Sequence, residues 1–566
     1  MTVSNILVDF SGWTSAHGIP HVGSAQHGVL RIFWLIVFIV CTCMFIVNMS
    51  LLVKKYVKYD VTVQTELKFE ERAFPVVTMC NLNPFLKREV KSLRNQVDIY
   101  DLSLAYKAYV NKSMQLPLVD DWYRELEEHN QKNNDQGGQK LIQKFKLHEL
   151  DFDPSATLSI HSEIQEELMF QYRSLTKEQR NQIVYDLDDT NFRDGFVVNC
   201  AYNTRPCWVS IGQNNSDFEE KDHPVYGRCF SFNPTGKYLS ARAGPLYGLR
   251  LLAVTNQEEY LPMTQAAGIR VAVHGQKEDP FIDAFGFNAA VGFTTSFGVK
   301  YIKTVRLPAP HGNCASDVGK FDYYYGSIFQ VEGCVRSCSQ RAVIEKCSCA
   351  DPKYNRPDVN PIPDFCKSGE QRTCVEDFTR KELPGKNCSS PERCPQPCEE
   401  SMYAVTVSTA LWPSDVYTPP ECKNQDVNNE KGYPWGNGTR DDCTAFYKHN
   451  TMLIEVYYER MNFQMLTESE AYSLVNLISD MGGQLGLWMG ISVITMVEFL
   501  SLMILLCLYC LNKKENLKMF DKDDEEEEEN TFDKPMSAGS KKAPSPIPPP
   551  QPVQPAPVPK PDHLKA

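Results

Sequence analysis

The chain has 566 residues and a formal charge of −13, a length that allows several domains. The run Asp521 to Glu529 holds eight acids and one lysine, so about half of the excess charge is local and the rest is diluted. That balance leaves no basic footprint and excludes nucleic acid as a partner.

Residues 1–28 are short, hold His17, His21 and His27, and carry no cleavage signal. The apolar run 29–53, VLRIFWLIVFIVCTCMFIVNMSLLV, is too long for a signal-peptide core and lacks a small-residue cleavage site. It reads as a transmembrane helix, with Arg31 able to snorkel at one end. A second candidate span comes only at 471–511, so residues 54–470 form one large loop.

Sixteen of the 20 cysteines fall in that loop, several at tight spacings such as CVRSC (334–338), KCSC (346–349) and CPQPC (394–398). This density implies disulfides and an oxidising compartment. Zinc binding by the same cysteines lacks a matching histidine pattern. The sequons at Asn111, Asn214, Asn387 and Asn437 also place the loop outside the cell. Lys54, Lys55 and Lys58 after the first span oppose the positive-inside bias, whereas Lys513, Lys514 and Lys518 after the second obey it. Long loops translocate regardless of such charges, so both termini are read as cytoplasmic and the protein as a multi-pass plasma-membrane protein.

Within the loop, FPVVTMCNLNPF (74–85) is strand-like and ends in a turn. Residues 87–200 have helical character, as in SEIQEELMFQYRSL (162–175). Strand-like runs follow at 246–254, 268–275 and 291–307, and TMLIEVYYER (451–460) reads as a last strand leading into the second span. The cysteine-dense part, 314–398, buries little core per residue and needs its staples. Catalytic, nucleotide and metal motifs are not found, so the chain reads as a non-enzyme without cofactor or metal.

The stretch 471–511 differs from the shell around it. Its second half is apolar enough to span a bilayer. Its first half places Asn476, Ser479 with Asp480, Gly483, Gly486 and Gly490 at steps of three and four, which is one helical face. Such a face suits close helix packing or a water-filled pore. Asp480 favours the pore, because a carboxylate at membrane depth needs water or a partner. Beyond 511, the acidic run reads as solvated and disordered. Residues 544–561, PSPIPPPQPVQPAPVPKP, favour polyproline II, either as an SH3 or WW ligand or as a stiff spacer.

Several motifs together resemble the degenerin / epithelial sodium channel / acid-sensing ion channel superfamily, and most of all its nematode-type degenerins. They are His17-Gly18 before the first span, FPVVTMCNLN, NQEEYLP (256–262), PFIDAFGF (280–287), the cysteine register and GGQLGLWMGIS in the second span. The resemblance covers about residues 17–511 and implies a membrane α+β fold. Two transmembrane helices would carry a β-rich extracellular domain of palm, ball, knuckle, finger (about 87–195) and disulfide-stapled thumb (about 314–398). Three subunits would assemble as a homotrimer or a heterotrimer with related subunits in the lipid bilayer. They would pass Na⁺ and be blocked by amiloride. The cytoplasmic parts would be 1–28 and 512–566.

By this resemblance Gly490, Ile491 and Ser492 match the selectivity filter, expected as an extended triplet between two half-helices. Ser479 holds the degenerin position, Gly486 an amiloride-sensitive position, and His17 with Gly18 the gating motif. Asp480 and Gly483 fall near the gate, and Glu498 matches an inner carboxylate; the second family acid is replaced by Ser501. The register implies the disulfides Cys80–Cys229, Cys200–Cys207, Cys314–Cys398, Cys334–Cys394, Cys338–Cys388, Cys347–Cys374 and Cys349–Cys366, leaving Cys422 to Cys443. Glu258, Glu259 and Glu376 match part of an acid-sensing pocket, although Arg380 stands where a partner acid is expected. His311 replaces a common tryptophan. Protons, peptide, force and constitutive opening all stay open as stimuli. An auxiliary subunit, an ATP-gated two-span channel and a non-conducting two-span receptor are the alternatives.

Overall fold

The computed structural model describes residues 3–94, 98–113, 156–188, 195–207, 217–315, 322–367, 369–382, 387–423 and 439–511. Asn214, Asn437, the acidic run and the proline-rich tail lie outside them, as does the side chain of Asn111. The chain falls into two compact units. One is built from the described residues up to Ile46 and from Gly482 onward, the other from Val47–Met481.

In the first unit, α1 (Val3–Trp13) and α2 (Ile19–Ser24) precede α3 (Gly28–Val57), an apolar helix with no buried residue. It is long enough to cross a membrane, and it starts one residue before and ends four residues after the run expected from hydropathy. α1 is amphipathic. Its Ile6 and Phe10 pack on Leu502, with Trp13, Phe499 and Leu506 around them.

The second unit is β-rich. Its strands are β1 (Val61–Phe69), β2 (Val76–Asn81), β3 (Gly195–Tyr202), β4 (Phe218–His223), β5 (Gly227–Phe232), β6 (Leu249–Val254), β7 (Gly268–His274), β8 (Phe287–Ala290), β9 (Phe293–Val305), β10 (Glu399–Leu411), β11 (Thr451–Tyr458) and β12 (Asn462–Glu470). One sheet runs β1-β12-β9-β11-β6-β3, with β10 also on β9. The other runs β8-β7-β2-β5-β4. Phe74, Val77, Met79, Phe230 and Phe232 meet Leu249, Leu251, Phe297 and Val456 in one core. Every residue of β2 is buried, which explains why apolar residues do not simply alternate with exposed polar ones along it.

The run 451–460 is not the last strand before the second span. β12 follows it and pairs antiparallel with β1 from Val61↔Glu470 to Phe69↔Asn462. Text such as NFQMLTESE carries little hydrophobic alternation, because this ladder is largely solvent-facing.

Around the sheets sit helices α4 (Lys87–Ser92), α5 (Ile99–Ser113), α6 (Ala156–Ser174), α7 (Lys177–Ile183), α8 (Val331–Cys347), α9 (Gly369–Lys381) and α10 (Arg440–Asn450). The first four share a core of Phe85, Ile99, Tyr100, Ile164, Leu168 and Ile183. Disulfides join Cys80–Cys229, Cys200–Cys207, Cys314–Cys398, Cys334–Cys394, Cys338–Cys388, Cys347–Cys374, Cys349–Cys366 and Cys422–Cys443. Five of them tie the segment carrying α8 and α9, whose core of Val343, Val375 and half-cystines is small. Cross-links there offset sparse burial by limiting the unfolded chain.

One buried histidine stitches three strands. The Nε2 of His274 lies 2.8 Å from Thr78 Oγ1 and its Nδ1 2.9 Å from the Gly275 carbonyl; Thr78 in turn bonds Ser231 at 2.7 Å. Burial pushes this imidazole down from 6.5 to about 3. The folded state therefore stays neutral where the unfolded chain takes up a proton. Its contribution is whole above pH 6.5 and falls as pH drops towards 3, by about 2 kcal/mol between pH 7 and pH 5. His274→Gln should flatten that part of the slope in denaturant melts at the two pH values. An unchanged slope would assign the acid lability to other groups.

Candidate functional site

The text of 471–511 folds as two helical arms around a break. α11 (Leu474–Gln484) continues through a wide π-type turn, Leu485–Met489, and α12 (Val493–Leu511) begins after residues 490–492. The arms Leu474–Met489 and Val493–Leu508 meet at 75° and pass together as one broken apolar span. Gly490 sits at φ 61°, ψ 25°, and its N–H donates to Gly486 O at 3.1 Å, while Ile491 N–H reaches Leu485 O at 3.3 Å. The triplet is thus not extended throughout. Its first residue is left-handed, a conformation that glycine adopts without strain and that closes the π turn. Ser492 then caps α12: Thr495 N–H donates to Ser492 Oγ at 3.3 Å, and Ser492 N–H donates to Thr495 Oγ1 at 3.2 Å.

His17 lies against this break. Its backbone N–H donates to Met489 O at 3.0 Å, and a Cβ on Gly490 would overlap its ring. Gly490 therefore answers two demands at once, positive φ and the approach of an imidazole. Gly18 follows at φ 90° and starts α2. α2 is held by stacking of His21 on Trp34 of α3 at 4.5 Å.

Below the break, the N-terminal segment captures Glu498. The Oε2 of Glu498 accepts from Thr14 Oγ1 at 3.0 Å, Ser15 N–H at 2.9 Å and Ser15 Oγ at 3.2 Å. Ser15 Oγ also lies 2.6 Å from Thr495 Oγ1, and Ser501 Oγ donates to Glu498 O at 2.7 Å. The sequence reading missed Thr14, Ser15 and Thr495. Their only signal was three hydroxyls, Thr495 about one helical turn before Glu498 and the pair Thr14-Ser15 one residue short of His17.

In the other unit, Asp480 Oδ2 accepts from Tyr472 Oη at 2.7 Å. Lys55 lies 4.2 Å above the Tyr472 ring, and Lys58 pairs with Asp60 at 2.8 Å. Two of the lysines that oppose the positive-inside bias thus have local partners. Ser479 and Asp480 are exposed, and a Cβ at Gly483 or Gly486 would meet nothing within 4 Å.

The acid candidates are not drawn together. Glu259 accepts from Arg88 N–H at 2.9 Å and lies 3.6 Å from its guanidinium, while Glu258 offers its carbonyl to Lys87. Glu376 sits on α9 and shares no hydrogen bond or ion pair with either glutamate among the described residues. Instead, α6 meets cations: Glu166 with Lys353 at 2.6 Å, Glu167 with Arg372 at 2.6 Å, and Glu163 with Arg380 at 3.6 Å. Arg380, the apparent misfit, therefore belongs to an opposite-charge seam and not to a carboxylate pair. His311 packs edge-on to Tyr59 at 5.1 Å, with Nε2 3.9 Å from Glu470. A titratable cluster that the motifs did not flag joins His223, Asp283 and Arg336. His223 Nδ1 accepts from the Val225 and Tyr226 amides, and burial lowers its pKa. Burial alone would raise Asp283, but bonds to His223 and Arg336 hold it low. No grouping of His, Cys, Asp and Glu suited to a metal ion is found among the described residues. Asn387 is exposed.

A family model described as the amiloride-sensitive sodium channel matches residues 10–502, and the chain belongs to this family of ion channels. It is 40% identical to Degenerin mec-4 of Caenorhabditis briggsae over 59% of this chain and 41% of that protein. It is 37% identical to Degenerin unc-8 of Caenorhabditis elegans over 62% and 43%, so these alignments span less than half of each relative. With Degenerin-like protein asic-2 of Caenorhabditis elegans it is 29% identical over 93% of this chain and 90% of the relative.

The clasp on Glu498 has a direct readout. A charge-assisted hydrogen bond contributes about 1.5–3 kcal/mol. Ser15→Ala should therefore speed amide exchange at residues 14–17 by roughly tenfold or more. Exchange unchanged from wild type would show that the clasp does not protect this segment.

Proposed function

We propose that this chain is a pore-forming subunit of a trimeric, Na⁺-selective, amiloride-sensitive channel of the plasma membrane, with α3 and the broken 471–511 segment as its two spans. The observation that carries this reading is the glycine break with its imidazole lid. A membrane tolerates interrupted backbone only where it is buried in protein or lines a cavity. Three copies of Gly490-Ile491-Ser492 would ring the axis with backbone carbonyls, a narrow polar constriction suited to a small cation.

The remaining residues then take roles in order along the pathway. Asp480, steadied by Tyr472, gathers cations at the outer mouth. Ser479 and Gly483 let the helices close, and Gly486 offers the open face that amiloride needs. Below the filter, Glu498 supplies negative charge, and His17 with Gly18 gates from beneath. Residues 54–470 form the extracellular domain, in which the α4–α7 region is the finger, the α8–α9 region the thumb and the stacked sheets the palm and ball. Both termini are cytoplasmic. The exposed Asn387 carries a glycan, and the proline-rich tail either docks an SH3 or WW partner or acts as a spacer. Partner subunits are copies of this chain or relatives.

The opposite-charge seam between α6 and the α8–α9 region bears on the stimulus. An acid sensor needs carboxylates that repel one another until protonated; here Glu163, Glu166 and Glu167 already face cations. This favours gating by something other than protonation of that seam.

Whole-cell voltage clamp in Na⁺ solution tests the proposal. Ser479→Val crowds a tight contact in the closed trimer, at about 1–3 kcal/mol, and should raise the amiloride-blocked current by roughly tenfold. Steps from pH 7.5 to 5.5 should not open the wild-type channel through the seam. Silence from both forms at confirmed surface expression would make the chain an auxiliary subunit of a heteromer; silence on co-expression with a relative as well would favour a non-conducting receptor.

A further inference from the structure

Where α6 gives way to α7, the protein has an open cleft of about 600 Å³. Arg173 and Arg180 enter it from the two helices. Arg356 enters from the loop closed by the Cys349–Cys366 disulfide, and Lys367 from the residue directly after it. Asp358 and Asp364 also line it, and Asp222 behind Arg173 and Arg180 is a third acid, which leaves an excess of one positive charge.

This excess is unusual for the region, because the nearby α6 seam pairs Lys353, Arg372 and Arg380 each with a glutamate. In the cleft, Arg173 and Arg180 share a single counter-ion, Asp222, at 3.2 and 3.9 Å. Neither Arg356 nor Lys367 makes an ion pair among the described residues. The Arg356 guanidinium instead lies 4.4 Å from the centre of the Phe365 ring, with Arg173 at 5.6 Å from the same ring. Stacking orients a guanidinium while leaving most of its donors free. A concave wall focuses the field of such charges far more than a flat surface does.

The interleaved acids narrow the choice of ligand. Along the chain the charges of one wall run Arg356, Asp358, Asp364, Lys367, so its two cations are separated by acids and do not form one continuous patch for a compact anion. An extended ligand can seat separate carboxylates on separate guanidinium forks. We propose that this cleft binds an extended acidic ligand, a short peptide carrying separated carboxylates. The inference stands apart from the conduction reading, since it concerns binding to the β-rich unit alone.

The test is calorimetric titration of the full chain in detergent with tri-glutamate, at a fixed ionic strength of about 0.15 M where long-range attraction is largely screened. Wild type should show saturable binding. Arg356→Gln combined with Lys367→Gln should weaken it by roughly tenfold. Both side chains are exposed, and an unchanged melting temperature would show that the double variant folds. Asp358→Asn, which removes a like charge, should strengthen binding by several-fold. Absence of saturable binding, equal binding by the double variant, or equal binding of inorganic phosphate or tri-glutamine would overturn the proposal.

Discussion

The antiparallel pairing of β1 with β12 is the constraint on which the rest of the β-rich unit depends. β1 follows α3 and β12 leads into α11, so this one ladder closes the loop between the two apolar stretches. Ala471 N–H donates to Asp60 O at 3.0 Å, just beyond the last ladder pair. The last turns of α3 and the first turn of α11 therefore leave from neighbouring strands. Closing several hundred residues costs only about 5 kcal/mol beyond a constant, because the entropy grows with the logarithm of length. A large insertion between two apolar segments is thus thermodynamically mild once the ladder forms. His311, Tyr59 and Glu470 gather at the same end, so motion in the segment before Cys314 reaches the ladder through a ring contact.

The first unit solves a different problem. A helix interrupted within an apolar stretch exposes backbone groups that lipid cannot satisfy. Here several of these groups find a local answer. The π turn and left-handed Gly490 reuse the carbonyls of Leu485 and Gly486, His17 takes the carbonyl of Met489, and Ser492 with Thr495 caps the following helix. Glu498 is satisfied by hydroxyls and one amide and not by a cation. It thereby tethers the segment that holds His17. The segment 14–17 thus bonds the carboxylate of Glu498 through Thr14 and Ser15 and the break through the backbone N–H of His17.

Charge placement separates the two faces of the helical region in the β-rich unit. Along α6 every glutamate named above has a cation opposite, so that seam is held at neutral pH and gains nothing from protonation. At the end of the same helix the balance reverses, and cations outnumber acids in a concavity. The disulfides near α8 and α9 hold these side chains in register where hydrophobic burial is small.

How much was legible beforehand follows from the range of each interaction. Hydropathy marked the run 29–53 and the apolar half of 471–511, because a long apolar stretch is read from composition alone. Cysteine density marked the stapled segment. Strand periodicity marked β2, β6, β7, β9 and β11, which face a core. β12 and β1 were not legible: their faces are largely exposed, and only a partner far away in the sequence makes them strands. The left-handed turn at Gly490 was equally hidden, since a glycine in a helix-like run signals neither its φ nor the ring packed on it. Glu498 was picked out through its match to the family's inner carboxylate, but its partners Thr14 and Ser15 lie at the other end of the chain. By itself the sequence determined the two apolar stretches, the cysteine-dense segment and the family, all of which rest on composition and local motif. Only the tertiary structure decided which charges meet and what the break rests upon, because those contacts join residues separated by hundreds of positions.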